Sequence, residues 1–157
     1  MRVTTLAEAL RRAAQRGAKT LVLDVEPVVA YWDSGQQALD QGVRQALAQA
    51  GAVPGVAVVC FATNSARHPS ASLACPGVRV EYLTSAGKPF RLAPYQGFPA
   101  PGVVIGDQPL TDGLLAGRLG YAFVHCTPDV ARVPRGPWLL GQAGRLVRPL
   151  LDRPPDG

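Results

Sequence analysis

The chain has 157 residues and a formal net charge of +5, with 47% hydrophobic and 17% charged residues. That length suits one domain with a real core, and that balance excludes wholesale disorder. No run of Lys or Arg is dense enough for a nucleic-acid arm, and 6% aromatic residues are too few for a base-stacking platform.

Taken in order, Thr5 with Glu8 three residues on forms a capping box, predicting a helix through Leu6, Leu10 and Ala14 to about Arg16. Gly17 ends it, and Thr20 to Asp24 is the first core strand. Gln36 to Ala50 places Leu39, Val43, Ala46, Leu47 and Ala50 on one helical face. Gly51, Pro54 and Gly55 break the chain before a strand over Val56 to Ala62. Arg67 to Ala74 is weakly helical, Val78 to Leu83 alternates as a short strand, and Lys88 to Tyr95 is a poor helix because of Pro89 and Pro94. Gly102 to Gly106 is a strand, Pro109 to Arg118 a helix begun by its proline, and Tyr121 to His125 a strand. A last helix is expected over Trp138 to Leu150.

Alternating strands and helices imply an α/β fold, with a parallel sheet covered on both faces. We expect one domain over residues 1–151 and a flexible tail over 152–157. Cys60, Cys75 and Cys126 are odd in number and lack a CxxC spacing, so neither a disulfide framework nor a zinc site is indicated. No apolar leader segment opens the chain and no apolar run reaches membrane-spanning length, so a cytoplasmic location is expected.

The functional signal lies at the ends of the apolar runs. Leu21-Val22-Leu23 ends in Asp24-Val25-Glu26, and Val58 to Ala62 ends in Thr63-Asn64. Lys88-Pro89 follows, and Val103-Val104-Ile105 ends in Gly106-Asp107, with Asp112 five residues later. Open parallel sheets gather ligand groups at the carboxyl ends of their strands. Acidic strand ends, a hydroxyl and a lysine meeting in one crevice would hold a divalent cation and a phosphate. Lys88 is one of only two lysines, with Lys19, among 16 basic residues, and a buried lysine facing carboxylates accounts for it best.

In this order the groups resemble the four motifs of haloacid-dehalogenase-like (HAD) phosphatases, and more narrowly those of subfamily IIIA, YqeG type. The closest stretch is Val103 to Asp112 (VVIGDQPLTD), continuing through Gly117-Arg118-Leu119-Gly120-Tyr121, and Leu21 to Asp33 (LVLDVEPVVAYWD) resembles the family's first strand. The resemblance implies a Rossmann-like HAD core and Mg²⁺-dependent phosphoryl transfer. It implies that Asp24 attacks phosphorus, forming an aspartyl-phosphate that water hydrolyses. It implies that Mg²⁺ is held by Asp24, Asp107 and the backbone carbonyl of Glu26, with Asp112 binding a metal-bound water or bracing Lys88. Lys88 with the hydroxyl and N–H of Thr63 would stabilise the phosphate oxygens, and Asn64 would orient the loop.

One departure stands out. The family usually places Asp two residues after the nucleophile as general acid, whereas this chain has Glu26, followed by Pro27. The functional group is the same, but an extra methylene moves it by roughly an ångström, a displacement that can cost about 10²-fold in rate. The alternative to a phosphatase is therefore a catalytically weakened HAD-fold protein that binds phosphate or a partner.

No cap domain fits between Glu26 and Thr63 or between Asn64 and Lys88, so the site should be open. An open site excludes water poorly unless the substrate covers it, which points to a large, protein-borne or lipid-borne phosphate ester, or to a second subunit. Capless subfamily IIIA relatives include phosphatases of phosphatidylglycerophosphate. Arg132, Arg135, Arg145 and Arg148 suit peripheral contact with an anionic membrane. His68 is expected as a solvated loop residue, and Tyr31 and Trp32 as packing for the loop after the first core strand, with a substrate-facing role as the alternative.

Overall fold

The computed structural model describes residues 2–128, in which the apolar runs become neighbouring strands of one six-stranded, all-parallel sheet. In chain order the elements are β1 (Arg2–Val3), α1 (Leu6–Gln15), β2 (Thr20–Asp24), α2 (Gln36–Gly51), β3 (Val58–Ala62), β4 (Arg79–Leu83), β5 (Gly102–Gly106), α3 (Leu114–Leu119) and β6 (Ala122–Cys126). The sheet order is β1-β6-β5-β2-β3-β4. The chain winds from β2 through β3 to β4 on one side, then crosses to β5 and β6 on the other. The carboxyl end of β2 therefore sits where the winding reverses, the place at which such sheets open a crevice.

β2, β3 and β5 are buried along their whole length. A strand covered on both faces needs no polar alternation, which is why these segments read as continuous apolar runs. Leu21, Leu23, Val59, Phe61, Val103 and Ile105 share one core with Leu10 of α1 and with Leu39, Val43 and Leu47 of α2. Val22, Val58, Cys60 and Val104 share the other with Tyr95, Phe98, Leu115 and Ala116. Helices thus cover both faces of a Rossmann-like sheet, and no cap domain is present among the described residues. Gly42 lets α2 approach the loop after β2, because a Cβ there would lie 2.4 Å from the Val29 carbonyl oxygen.

Local signals account for the element ends. Thr5 caps α1 by accepting the Glu8 N–H at 3.2 Å, and Gly17 leaves the helix at φ +62°. Elsewhere the structure corrects the expectation. β1 is too short for periodicity to reveal, and pairs with β6. Residues 67–74 form no helix. They are tied to α2 by side chains instead, with Gln36 donating to the His68 carbonyl at 2.9 Å and the Ser70 N–H donating to Asp40. The helix expected from Lys88 shrinks to a 3₁₀ turn over Ala93–Tyr95, since Pro89 and Pro94 each remove a donor. The helix expected from Pro109 begins as a π-helical turn over Pro109–Gly113 and becomes α-helical only at Leu114.

The expected helix over Trp138 to Leu150, the four C-terminal arginines and the tail 152–157 lie outside the described residues. Among the described residues no helix is long and apolar enough to cross a membrane.

Candidate active site

Each predicted polar group lies at the carboxyl edge of the sheet for a local reason. Asp24 is the last residue of β2, Thr63 and Asn64 follow β3, and Asp107 follows β5. Lys88 comes from the β4–β5 connection. Its backbone is held by a two-point amide bridge: the Lys88 N–H donates to Asn64 Oδ1 at 2.9 Å, and Asn64 Nδ2 donates to the Lys88 carbonyl at 3.2 Å. Asn64 thus orients that loop from across the crevice.

Lys88 Nζ reaches Asp24 Oδ1 at 2.6 Å and Asp112 Oδ1 at 2.7 Å, and all three residues are buried. Burial alone would depress the lysine, but the carboxylates of Asp112 and Asp24 outweigh it and raise its pKa, so Lys88 is charged at every physiological pH. The π-helical turn makes this contact possible by bringing Asp112 back beneath β5, where its Oδ2 accepts the Gln108 N–H at 3.2 Å. Gly106 is obligatory here, because a Cβ at that position would sit 2.2 Å from Asp112 Oδ2.

Asp24, Asp107 and Asp112 offer carboxylate oxygens that all lie within 4.8 Å of one another. Burial first, and then the charge of Asp112, push Asp24 well above the usual carboxylate range; Lys88 offsets part of this. The same two causes raise Asp107 to about 7. Asp107 Oδ1 is buried and has no hydrogen-bond partner among the described residues, an arrangement that is costly unless something else fills the role. Hard carboxylate oxygens set this close suit Mg²⁺, and a divalent cation would relieve both the mutual repulsion and the orphaned oxygen. The residues fit the ion.

Glu26 stands apart from this trio. Its buried carboxylate accepts Thr63 Oγ1 at 2.6 Å and Ser65 Oγ at 3.1 Å, and Arg67 Nη1 lies 3.5 Å away. Its side chain lines the crevice, together with Asp24, Thr63, Asn64 and Lys88, around about 300 Å³ of space. The Thr63 N–H is not free for a ligand, because it donates to the Leu83 carbonyl at 2.9 Å and continues the β3–β4 pairing. Only the hydroxyl remains, and Glu26 holds it.

Four residues emerge that sequence reasoning had not assigned to the site. Ser65 lies two positions beyond Thr63 and shares its grip on Glu26, while Gln108 and Thr111 line the crevice from the β5–α3 connection. Arg67 fastens the loop after β2. Ser65 follows a Thr-Asn strand end, so its proximity could have been suspected; Arg67 acts through loop carbonyls, which leave no trace in sequence. Trp32 lines the crevice, in keeping with the substrate-facing alternative. His68 is exposed, as expected. Cys60 is an inert core thiol, pushed up to about 12 by burial.

The chain matches no family model, no curated protein and no solved structure.

Proposed function

We propose that this chain is a Mg²⁺-dependent phosphomonoesterase of the HAD type, with Asp24 as nucleophile. The observation that carries the reading is the convergence of Asp24, Asp107, Asp112 and Lys88 at the switch point of a capless parallel sheet, with Glu26 and Thr63 on the same crevice.

Charge supports a cation requirement. Once ionised, Asp24, Glu26, Asp107 and Asp112 outnumber Lys88 and Arg67, so a phosphate dianion would be repelled from the deprotonated, metal-free site. When bound, Mg²⁺ supplies the positive charge that lets nucleophile and phosphate approach each other. Asp24 Oδ then forms a bond to phosphorus as the bond to the leaving oxygen breaks, and Glu26 delivers its proton to that oxygen. In the second half, Glu26 takes a proton from water as the water oxygen bonds to phosphorus and the aspartyl–phosphorus bond breaks, restoring both carboxyl groups. Lys88 stays cationic throughout and faces the phosphate oxygens while fixing the Asp24 rotamer. Because no cap covers the crevice among the described residues, a substrate that brings its own cover is favoured, such as a phosphate carried on a large molecule or a lipid.

The decisive experiment is Mg²⁺-dependent turnover of an aryl phosphate by the native protein and by Asp24→Asn. Loss of turnover in the variant is expected; equal rates would remove Asp24 from the chemistry. A second reading, phosphate or partner binding without turnover, is favoured by one observation: Glu26 is already engaged by Thr63, Ser65 and Arg67. Mg²⁺-dependent phosphate binding with no turnover of any ester would select it.

A further inference from the structure

Part of the crevice lining is left unused by phosphate chemistry. Beyond Asp24, Glu26, Thr63, Asn64, Ser65 and Lys88 the crevice is lined by Trp32, Gln108 and Thr111, none of them charged. Trp32 is partly buried, and the loop that bears it is stapled in place. Arg67 donates to the carbonyls of Tyr31 at 2.8 Å, Trp32 at 3.2 Å and Ser34 at 2.6 Å. Three charge-assisted hydrogen bonds hold the backbone of the loop that carries Trp32, which lowers the cost of ordering that loop on binding.

The polar groups beside it are uncommitted. Among the described residues, neither the Trp32 indole N–H nor the Gln108 side-chain amide has a hydrogen-bond partner, and the Thr111 hydroxyl makes only a long 3.4 Å contact to the Gln108 carbonyl. Among the described residues, the one basic side chain lining the crevice is Lys88, which Asp24 and Asp112 already hold. An aromatic face with neutral donors and acceptors, and no spare cation, suits an uncharged hydroxylated ring. A second anionic group or a purely aliphatic chain would leave these groups unmatched.

Building on the phosphatase reading, we infer that Trp32, Gln108 and Thr111 form a leaving-group subsite for a cyclic polyol, so that the substrate is a phosphate monoester of a sugar-like ring. The apolar ring face lies on the indole, and the ring hydroxyls bond to Gln108 and Thr111. The ring is a free sugar phosphate or the terminal headgroup of a larger lipid, and both present the same chemistry to these three residues.

The test compares kcat/KM for glucose 6-phosphate, for phosphatidylinositol 4-phosphate in vesicles, and for acyclic glycerol 3-phosphate. A ring preference is expected, and the arm with the higher value identifies the source of the ring. Trp32→Ala should lower the ring-over-acyclic ratio by about tenfold, and Trp32→Phe should restore most of it. An unchanged ratio in Trp32→Ala, or no ring preference in the native protein, overturns the subsite while leaving the phosphatase reading intact. Should nothing be turned over, the phosphatase reading fails and binding decides the subsite. The chain has 2 tryptophans, so Trp138→Phe makes Trp32 the sole emitter. A saturable emission change with glucose 6-phosphate, absent with glycerol 3-phosphate, supports the subsite, and no such change refutes it.

Discussion

Replacing Asp107 by Asn should stabilise the metal-free protein at pH 8 while abolishing its response to Mg²⁺. Folding raises the Asp107 pKa from 3.8 to about 7, chiefly through burial and then through the charge of Asp112. The native state therefore binds this proton more tightly than the unfolded chain does. Stability consequently declines as pH climbs from about 4 towards about 7 and then levels off. At about 1.4 kcal/mol per pH unit, the penalty above pH 7 approaches roughly 4 kcal/mol. An Asn amide removes the charge but leaves a buried polar group without its best partners, which returns about 1–3 kcal/mol. The expected net gain at pH 8 is about 1–3 kcal/mol, shrinking towards zero or reversing at pH 4.5. Urea unfolding followed by far-UV circular dichroism, in chelator, measures it directly. In Mg²⁺ the order should reverse, because the native protein gains about 2.7 kcal/mol at a hundredfold excess over Kd and the variant gains little. A variant that is less stable than its parent at pH 8 in chelator, or one whose gain is the same at both pH values, would refute the electrostatic account.

Lys88→Met strips the cation from two buried carboxylates and should cost about 3–5 kcal/mol at pH 8, with a smaller loss at pH 4.5 as Asp24, whose pKa burial raises, takes up its proton, read by the same unfolding titration. Gly106→Ala drives a methyl into Asp112 and should destabilise by about 1–3 kcal/mol while weakening Mg²⁺ affinity by isothermal calorimetry; unaltered affinity would mean that Asp112 is not held against β5 as described. Asn64→Ala removes both hydrogen bonds to the Lys88 backbone and should cost about 1–2 kcal/mol, with faster hydrogen exchange over residues 86–90.

Much of the site was legible before the fold was known. Strand ends are marked in sequence because a buried parallel strand must be apolar throughout, so the first polar residues after it fall at the sheet edge. That rule placed Asp24, Thr63 and Asp107 on one rim. The helix–strand alternation likewise predicted the layered sheet, since α1 and α2 display their buried faces at helical spacing. It failed where tertiary contacts replaced local preference. Residues 67–74 carried only a weak helical signal, and their hydrogen-bond partners lie on α2, while the segment after Pro109 is wound wider than an α-helix and brings Asp112 under Gly106.

Sequence by itself determined the inventory of charged groups and the order in which the chain delivers them to the sheet edge, because both follow from apolar patterning along the chain. Only the tertiary structure decided their pairings: Lys88 between Asp24 and Asp112, Glu26 gripped by Thr63 and Ser65, and Trp32 fixed by Arg67 through loop carbonyls. Those partners lie tens of residues apart along the chain, and which oxygen meets which donor depends on burial and on the close approach permitted by a glycine.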